Sequence, residues 1–278
     1  MGILKRVSLI IVTGLLPVAG FADDDCANDW LDVEEIKDDN NVELHARNLR
    51  AYPVTYTLRV RTRDFTVDGP NTVTRTLGPH ETERVMRLDG DQGGGKGVYR
   101  YSCAWTVGRQ DANHDDDHLY ALPFQPGRSF RILQGYGSRF SHKGYEQFAV
   151  DFDMREGTPV HAARSGVVAR VEESNDKGCW EDGCGKYANY IVILHTDGTT
   201  GEYYHLQKNG ALVDVGGSVA RGQQIGLSGN TGHSTMPHLH FAVYRATDWG
   251  RTQSIPVRFQ SSSGIIDRPR RGARPQAQ

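Results

Sequence analysis

Residues 237–244 read Pro-His-Leu-His-Phe-Ala-Val-Tyr. With the two-residue repeat of a strand, His238 and His240 fall on one face and Leu239, Phe241 and Val243 on the other. The apolar stripe packs on a core, so the two imidazoles face a common space. A second cluster, Tyr203-Tyr204-His205-Leu206, ends the return arm of a hairpin. Its first arm is 191–195 and its turn holds Asp197-Gly198. On that arm His205 shares a face with Tyr203, and His195 reads as a solvated or hairpin-bonding residue beside the turn. A third cluster is Ser141-His142-Lys143-Gly144 followed by Ala149-Val150-Asp151-Phe152-Asp153. A carboxylate inside an apolar strand needs a compensating partner, and a cation supplies one for Asp151. Asp153 lies closer to the turn at 155–157 and reads as solvent-exposed. Histidines, an aspartate and a His-x-His pair are the donor set of a hydrolytic zinc site. Imidazole and carboxylate fill three tetrahedral positions and water the fourth, where it ionises near neutral pH. Histidines left over can move protons or stabilise an oxyanion. Five candidate groups exceed three ligands, which favours a hydrolase over a closed structural site.

The stretches SHKGYEQFAVDFDMREGTPVHAARSGVV (141–168), EYYHL (202–206) and VARGQQIGLSGNTGHSTMPHLHFAVY (219–244) together resemble the LytM/lysostaphin-type zinc endopeptidases. The resemblance covers about residues 129–247, with several motifs in the family's order. It implies an antiparallel β-sheet groove with a metal on its floor, and cleavage of peptide bonds within peptidoglycan. It further implies that His142, Asp151 and His240 bind Zn2+, and that His205 and His238 act around the water and the oxyanion. One departure is plain. The commoner spacing is H-x-x-x-D, whereas eight residues separate His142 from Asp151, so residues 143–149 contain a loop insertion. His161 is a distant substitute for His142. The glycine-rich run 222–232 lacks the Lys-Ser/Thr ending of a phosphate cradle and reads as a turn that lets substrate backbone approach. Ser228 is not in a G-x-S-x-G arrangement, so a serine hydrolase has no support.

The elements that must position these residues are strands throughout, and the expected fold class is all-β. Val54-Thr55-Tyr56-Thr57-Leu58-Arg59-Val60-Arg61 alternates with period two, as do 72–77, 83–88 and 98–107. Short strands separated by turn signals suggest a small β-sandwich-like accessory domain over 23–107. Its His45 and His80 are isolated and carry no chemistry. Residues 108–128, polar and acidic and then punctuated by Pro123, Pro126 and Gly127, read as a linker, its His114-Asp115-Asp116-Asp117-His118 run as a solvated stretch. The metallopeptidase-like groove domain follows over 129–260. Residues 261–278, with Arg268, Arg270, Arg271 and Arg274, read as a basic disordered tail.

Residues 1–22 carry Lys5 and Arg6, an apolar run to about Val18, and Gly20 and Ala22 before Asp23, the form of a secretory signal peptide. The run is too short for a comfortable membrane span, so none is expected once the signal is removed. Asp23-Asp24-Asp25 before Cys26 argues against a lipid anchor. Export to the periplasm or the extracellular space makes the cysteines disulfide candidates. Pairing Cys26 with Cys103 and Cys179 with Cys184 closes each bridge within one unit. The C-x4-C of 179–184 has no second half with which to make a zinc site. The 278 residues suffice for two domains, and 37% hydrophobic with 24% charged residues is globular composition. A net charge of −2 argues against nucleic-acid binding through bulk positive charge. The partner that the resemblance implies is peptidoglycan peptide. Two other classes stay open: a non-catalytic relative that activates wall hydrolases, and an envelope-binding module with structural zinc. Binding to peptidoglycan without cleavage by the zinc-loaded protein marks either.

Overall fold

The computed structural model describes residues 19–22, 26–90 and 97–278. The signal-peptide segment falls largely outside these residues. Only Ala19–Ala22 is described, as a strand in parallel register with residues 98–101. Among the described residues no helix is long and apolar enough to cross a membrane.

The chain is almost entirely β. Its amino-terminal part forms two four-stranded sheets. One orders Ala19–Ala22, Val98–Val107, Val54–Arg63 and Thr72–Leu77, and the other Leu31–Asp38, Asn41–Asn48, Thr82–Gly90 and Phe65–Val67. Alternation puts every second residue of Asn41–Asn48 inside. Leu31, Val42 and Leu44 of one sheet and Tyr56, Leu58 and Tyr99 of the other fill a single core. The Cys26–Cys103 disulfide ties the segment entering this unit to its longest ladder.

The second half is built on a sheet whose strands run in the order Ile132–Gln134, Val150–Phe152, Leu239–Ala246, Thr200–Tyr204, Tyr190–Leu194, Gly166–Glu172 and Ser218–Val219. Thr252–Ile255 pairs with the far end of Leu239–Ala246. Every pairing in it is antiparallel. Val150, Phe152, Leu239, Phe241, Val243 and Tyr203 point to one face and are buried. That face packs on a three-stranded sheet of Pro159–His161, Gln224–Ser228 and Leu206–Ala211, which contributes Val160, Ile225 and Leu206. Each such side chain contributes about 1.5–3 kcal/mol on burial, so this core fixes the register that aligns the opposite face. The accessory unit docks on that opposite face, toward the end away from Val150–Phe152. There Tyr52 Oη donates to Ala169 O at 2.8 Å, and Trp30, stacked on Trp105, lies beside the Arg170 guanidinium.

Three expectations need correction and a fourth is narrowed. The expected linker is core at its second half. Leu119–Ala121 pairs with Arg258–Ser261, and Tyr120, Leu122 and Phe124 are buried with the groove domain. Their alternation is the strand signature, and the flanking prolines obscure it. The expected disordered tail is ordered. Gly264–Ile266 pairs with Arg258–Ser261, Gly272 N–H donates to Ile132 O, Ala273 O accepts from Ile132 N–H, and Ala277 is buried. The tail's backbone thus supplies partners to the outer strand of the sheet, and its arginines project from it. His195 is hairpin-bonding rather than solvated: it is 3% exposed, its backbone N–H donates to Thr199 O across the turn, and its Nδ1–H to Ser165 O. Finally, the glycine-rich run contains the strand Gln224–Ser228, and Gly226, Gly229 and Gly232 lie close against neighbouring chain rather than open to substrate. A Cβ at Gly229 would lie 2.4 Å from Gln207 N.

Candidate metal centre

The site is a row across three neighbouring strands. His240 is paired with Asp151 on one side and with Tyr204 on the other. Because cross-strand partners share a face, all three point away from the apolar core. Asp151 is 3% exposed. Its Oδ1 lies 2.9 Å from His240 Nδ1, 3.2 Å from His142 Nε2 and 3.9 Å from His238 Nε2. Its Oδ2 accepts from Gln134 Nε2 at 2.6 Å, from the next strand of the sheet.

His142 reaches the row from the loop that precedes Val150–Phe152. The residues inserted after it fold as a one-turn 3-10 helix, Gly144–Glu146, and return to the strand by Ala149. The long spacing is thereby absorbed. His238 sits immediately before the strand that carries His240. His205 follows Thr200–Tyr204 but is not part of it. Its φ of 66° is left-handed, so the ring leaves the strand direction. The facing expected from strand alternation does not apply to His205. Its ring centroid lies 4.5 Å from that of His238, the two planes tilted by 44°, and 6.0 Å from that of His240. All five residues singled out from the sequence therefore meet in one place. His161 does not. It lies on the three-stranded sheet, bonded to Gly222 O.

The outer bonds of the imidazoles decide which nitrogen faces inward. A carbonyl oxygen only accepts, so a ring nitrogen bonded to one carries the proton. His142 Nδ1–H donates to Gly135 O at 3.2 Å, His205 Nδ1–H to Thr231 O at 2.7 Å, and His238 Nδ1–H to Met236 O at 2.8 Å. Each of the three is left with an Nε2 lone pair. His240 is mounted the other way round, with Nδ1 on Asp151 and Nε2 beside Tyr244 Oη and Glu146 Oε2.

The electrostatics follow from this packing. Burial raises the Asp151 carboxyl, but the imidazoles of His142, His240 and His238 around it outweigh burial and hold the group well below its usual range. Burial lowers His240, yet Asp151 and Glu146 together raise it to about 10. His205, buried beside two other histidines, is pushed down to about 3, and burial also lowers His238. Both are neutral bases at neutral pH.

One ligand atom from each of His142, Asp151 and His240 lies within 4.8 Å of the others. The His142 Nε2 atom is buried without a hydrogen-bond partner. A buried acceptor left unpaired is costly, and a cation at the focus of these atoms removes the cost. Two imidazoles and a carboxylate, each imidazole with its other nitrogen anchored, fit zinc.

The cluster floors a cleft of about 730 Å³. One rim is aromatic. Phe140 stacks on Trp180 at 5.1 Å, and Trp180 on His233 at 4.1 Å. The Cys179–Cys184 disulfide closes the short loop that carries Trp180. No cysteine among the described residues is free.

Three residues of the site are not singled out by the sequence motifs. Tyr244 could have been, since alternation from His238 and His240 places it on their face. Gln134 and Glu146 carry no signal, lying in a three-residue strand and in the inserted loop.

The site is thus a β-sheet groove with a His/Asp/His cluster and two further histidines. The profile of Peptidase family M23 matches residues 145–253. Peptidoglycan DD-endopeptidase ShyA of Vibrio cholerae is 39% identical over 137 residues, covering 48% of this chain and 29% of that protein. Lysostaphin of Staphylococcus simulans is 38% identical over 132 residues, covering 47% and 24%. The chain thus spans less than a third of the length of these relatives. Among solved structures, the catalytic domain of Staphylococcus simulans lysostaphin is 29% identical, covers 51% of this chain and 95% of its own, and has a TM-score of 0.32.

Proposed function

We propose that this protein is an exported zinc endopeptidase that hydrolyses peptide bonds in peptidoglycan. The reading rests on the convergence around Asp151 Oδ1 of inward-facing nitrogens from His142, His238 and His240, with the His205 ring against His238, inside a segment that matches a peptidase family. Relatives named for cleaving peptidoglycan or acting as lysostaphin supply the substrate class, and two disulfides fit an oxidising compartment.

His142 Nε2, His240 Nδ1 and an oxygen of Asp151 would hold the ion. When bound, zinc polarises the scissile carbonyl and lowers the pKa of a water molecule. Gln134 keeps Asp151 oriented by holding its other oxygen. His238 and His205 do the proton work. Each is neutral, has its Nδ1–H fixed on a carbonyl, and offers Nε2 as a base toward the attacking water. Once protonated, the same Nε2–H can be donated to the tetrahedral oxyanion or returned to the leaving amine.

The test is digestion of purified peptidoglycan of defined cross-link type by the zinc-loaded mature protein, with released fragments identified by mass spectrometry. New amino termini that vanish with chelator are expected. Binding without cleavage by fully zinc-loaded protein would overturn the proposal.

A further inference from the structure

The insertion that lengthens the His142–Asp151 spacing does more than loop out. We propose that its Glu146 is a positioning residue for the metal centre, acting with Tyr244 to hold His240 so that Nδ1 is presented to the ion. The inference rests on the zinc reading above and concerns how the ligand is oriented.

His240 differs from the other three histidines in where it stands. It lies within the strand Leu239–Ala246, paired on both sides. The backbone carbonyls around it serve the ladder, so none is offered to its ring. Its outer nitrogen must therefore find a side chain. Tyr244, two alternations further along the same face and 2% exposed, brings its Oη to 3.3 Å from His240 Nε2. Glu146 Oε2 lies 3.4 Å from the same nitrogen and accepts from Tyr244 Oη at 2.5 Å. With the phenol proton committed to the carboxylate, the phenol oxygen is left as an acceptor. The carboxylate and the phenol thus face His240 as two acceptors and no donor, which keeps a proton on Nε2; the proton given up when a cation takes Nδ1 is then the one shared with Asp151 Oδ1 at 2.9 Å.

Glu146 is held in place on a short turn pinned to the same domain. Gly144 O accepts from Gln253 Nε2 at 3.2 Å, Phe148 N–H donates to Ser254 Oγ at 3.0 Å, and Gly137 N–H donates to Gln147 O at 2.8 Å. Gln253 and Ser254 belong to the strand that pairs with the Tyr244 end of the ligand strand. The insertion and the ligand strand are thereby fastened to one another on both sides of the Glu146–Tyr244 contact.

The test compares wild type, Glu146→Ala, Glu146→Gln, Tyr244→Phe and His240→Ala. Zinc affinity is read by chelator competition, and the His240 tautomer by imidazole 15N shifts of the zinc-loaded protein. Wild type should bind one zinc with the proton on Nε2. Glu146→Ala should bind zinc about 10- to 100-fold more weakly and show a mixed tautomer. Glu146→Gln, which keeps an acceptor, should stay within a few fold of wild type. Tyr244→Phe reports on the same bond if Glu146→Ala does not fold, and should also weaken zinc. A purely structural role for the turn would lower the melting temperature and leave tautomer and affinity unchanged. That result, in Glu146→Ala or in Tyr244→Phe, overturns the proposal while wild type and His240→Ala still differ in zinc. If wild type itself binds no zinc, the underlying zinc reading fails instead.

Discussion

His240→Ala and His238→Ala should fail in different ways, although the two imidazoles are neighbours on one segment. On the proposed assignment His240 offers one of three candidate ligand atoms that lie within 4.8 Å of one another. Complete four-donor zinc sites bind with about 10–16 kcal/mol, or about 2.5–4 kcal/mol per donor. Losing His240 should therefore weaken zinc by about 10²- to 10³-fold. It also removes the 2.9 Å partner of the Asp151 carboxylate. A hydrogen bond to a buried charge is worth about 1.5–3 kcal/mol, so the metal-free variant should unfold at a lower temperature. His238 Nε2 lies 3.9 Å from Asp151 Oδ1, beyond hydrogen-bond range, and its removal leaves the donor set intact. His238→Ala should keep zinc within a few fold while turnover falls about 10²- to 10⁴-fold, the usual loss for an acid–base group. Metal content after desalting, chelator competition and kcat on peptidoglycan fragments measure the three quantities. The reasoning is refuted if His240→Ala retains stoichiometric zinc at wild-type affinity. It is equally refuted if His238→Ala loses zinc to the same degree.

Three further outcomes are expected. Burial holds His195 at about 4, below the ordinary 6.5; between those values the unfolded chain binds the extra proton, so stability falls as pH falls from 6.5 to 4, by up to about 3 kcal/mol from this group. His195→Asn should flatten that part of the pH dependence in denaturant titrations, and an unchanged slope would count against it. Replacing Cys26 and Cys103 by Ser releases a cross-link spanning 77 positions, costing roughly 4 kcal/mol in the chain-entropy account; differential scanning calorimetry should show the accessory unit melting earlier and the groove domain nearly unmoved. Deleting residues 268–278 removes the backbone bonds to Arg128, Ile132 and Tyr136 and should lower stability by about 2–5 kcal/mol, whereas a loose tail could be removed without a shift in the denaturation midpoint.

The parts of this fold that are legible in the sequence are those where one physical rule dominates. Alternation over 54–61 and 239–243 identifies strands because each has one wet or polar face and one packed face. His142, Asp151, His205, His238 and His240 are found by residue type, since two imidazoles on one strand face, opposite an apolar stripe, mark a shared polar space. The errors arise where two rules compete. Pro123, Pro126 and Gly127 signal a loop, while Tyr120, Leu122 and Phe124 alternate into the core, and burial outweighs local punctuation. The arginines of 268–274 signal solvation, yet the tail's order comes from its backbone, which composition does not report. Alternation carries the strand one residue too far, to His205, because left-handed φ at a non-glycine residue leaves no mark in hydropathy.

The contrast between His240 and the other three histidines shows why a metal centre on a sheet needs more than its ligands. His142, His205 and His238 lie in irregular backbone, where carbonyls free of the ladder are close enough to take Nδ1–H. Irregularity at those positions, including the strained φ of His205, therefore fixes ring orientation as well as ring position. His240 gains its position from the ladder, with neighbours on both sides, and for the same reason has no backbone acceptor. A strand-borne ligand is well placed and poorly oriented until a side chain completes it. In this chain that side chain comes from Tyr244 on the same face and from Glu146 in the insertion. An altered spacing between two ligands can thus supply an outer partner to the third.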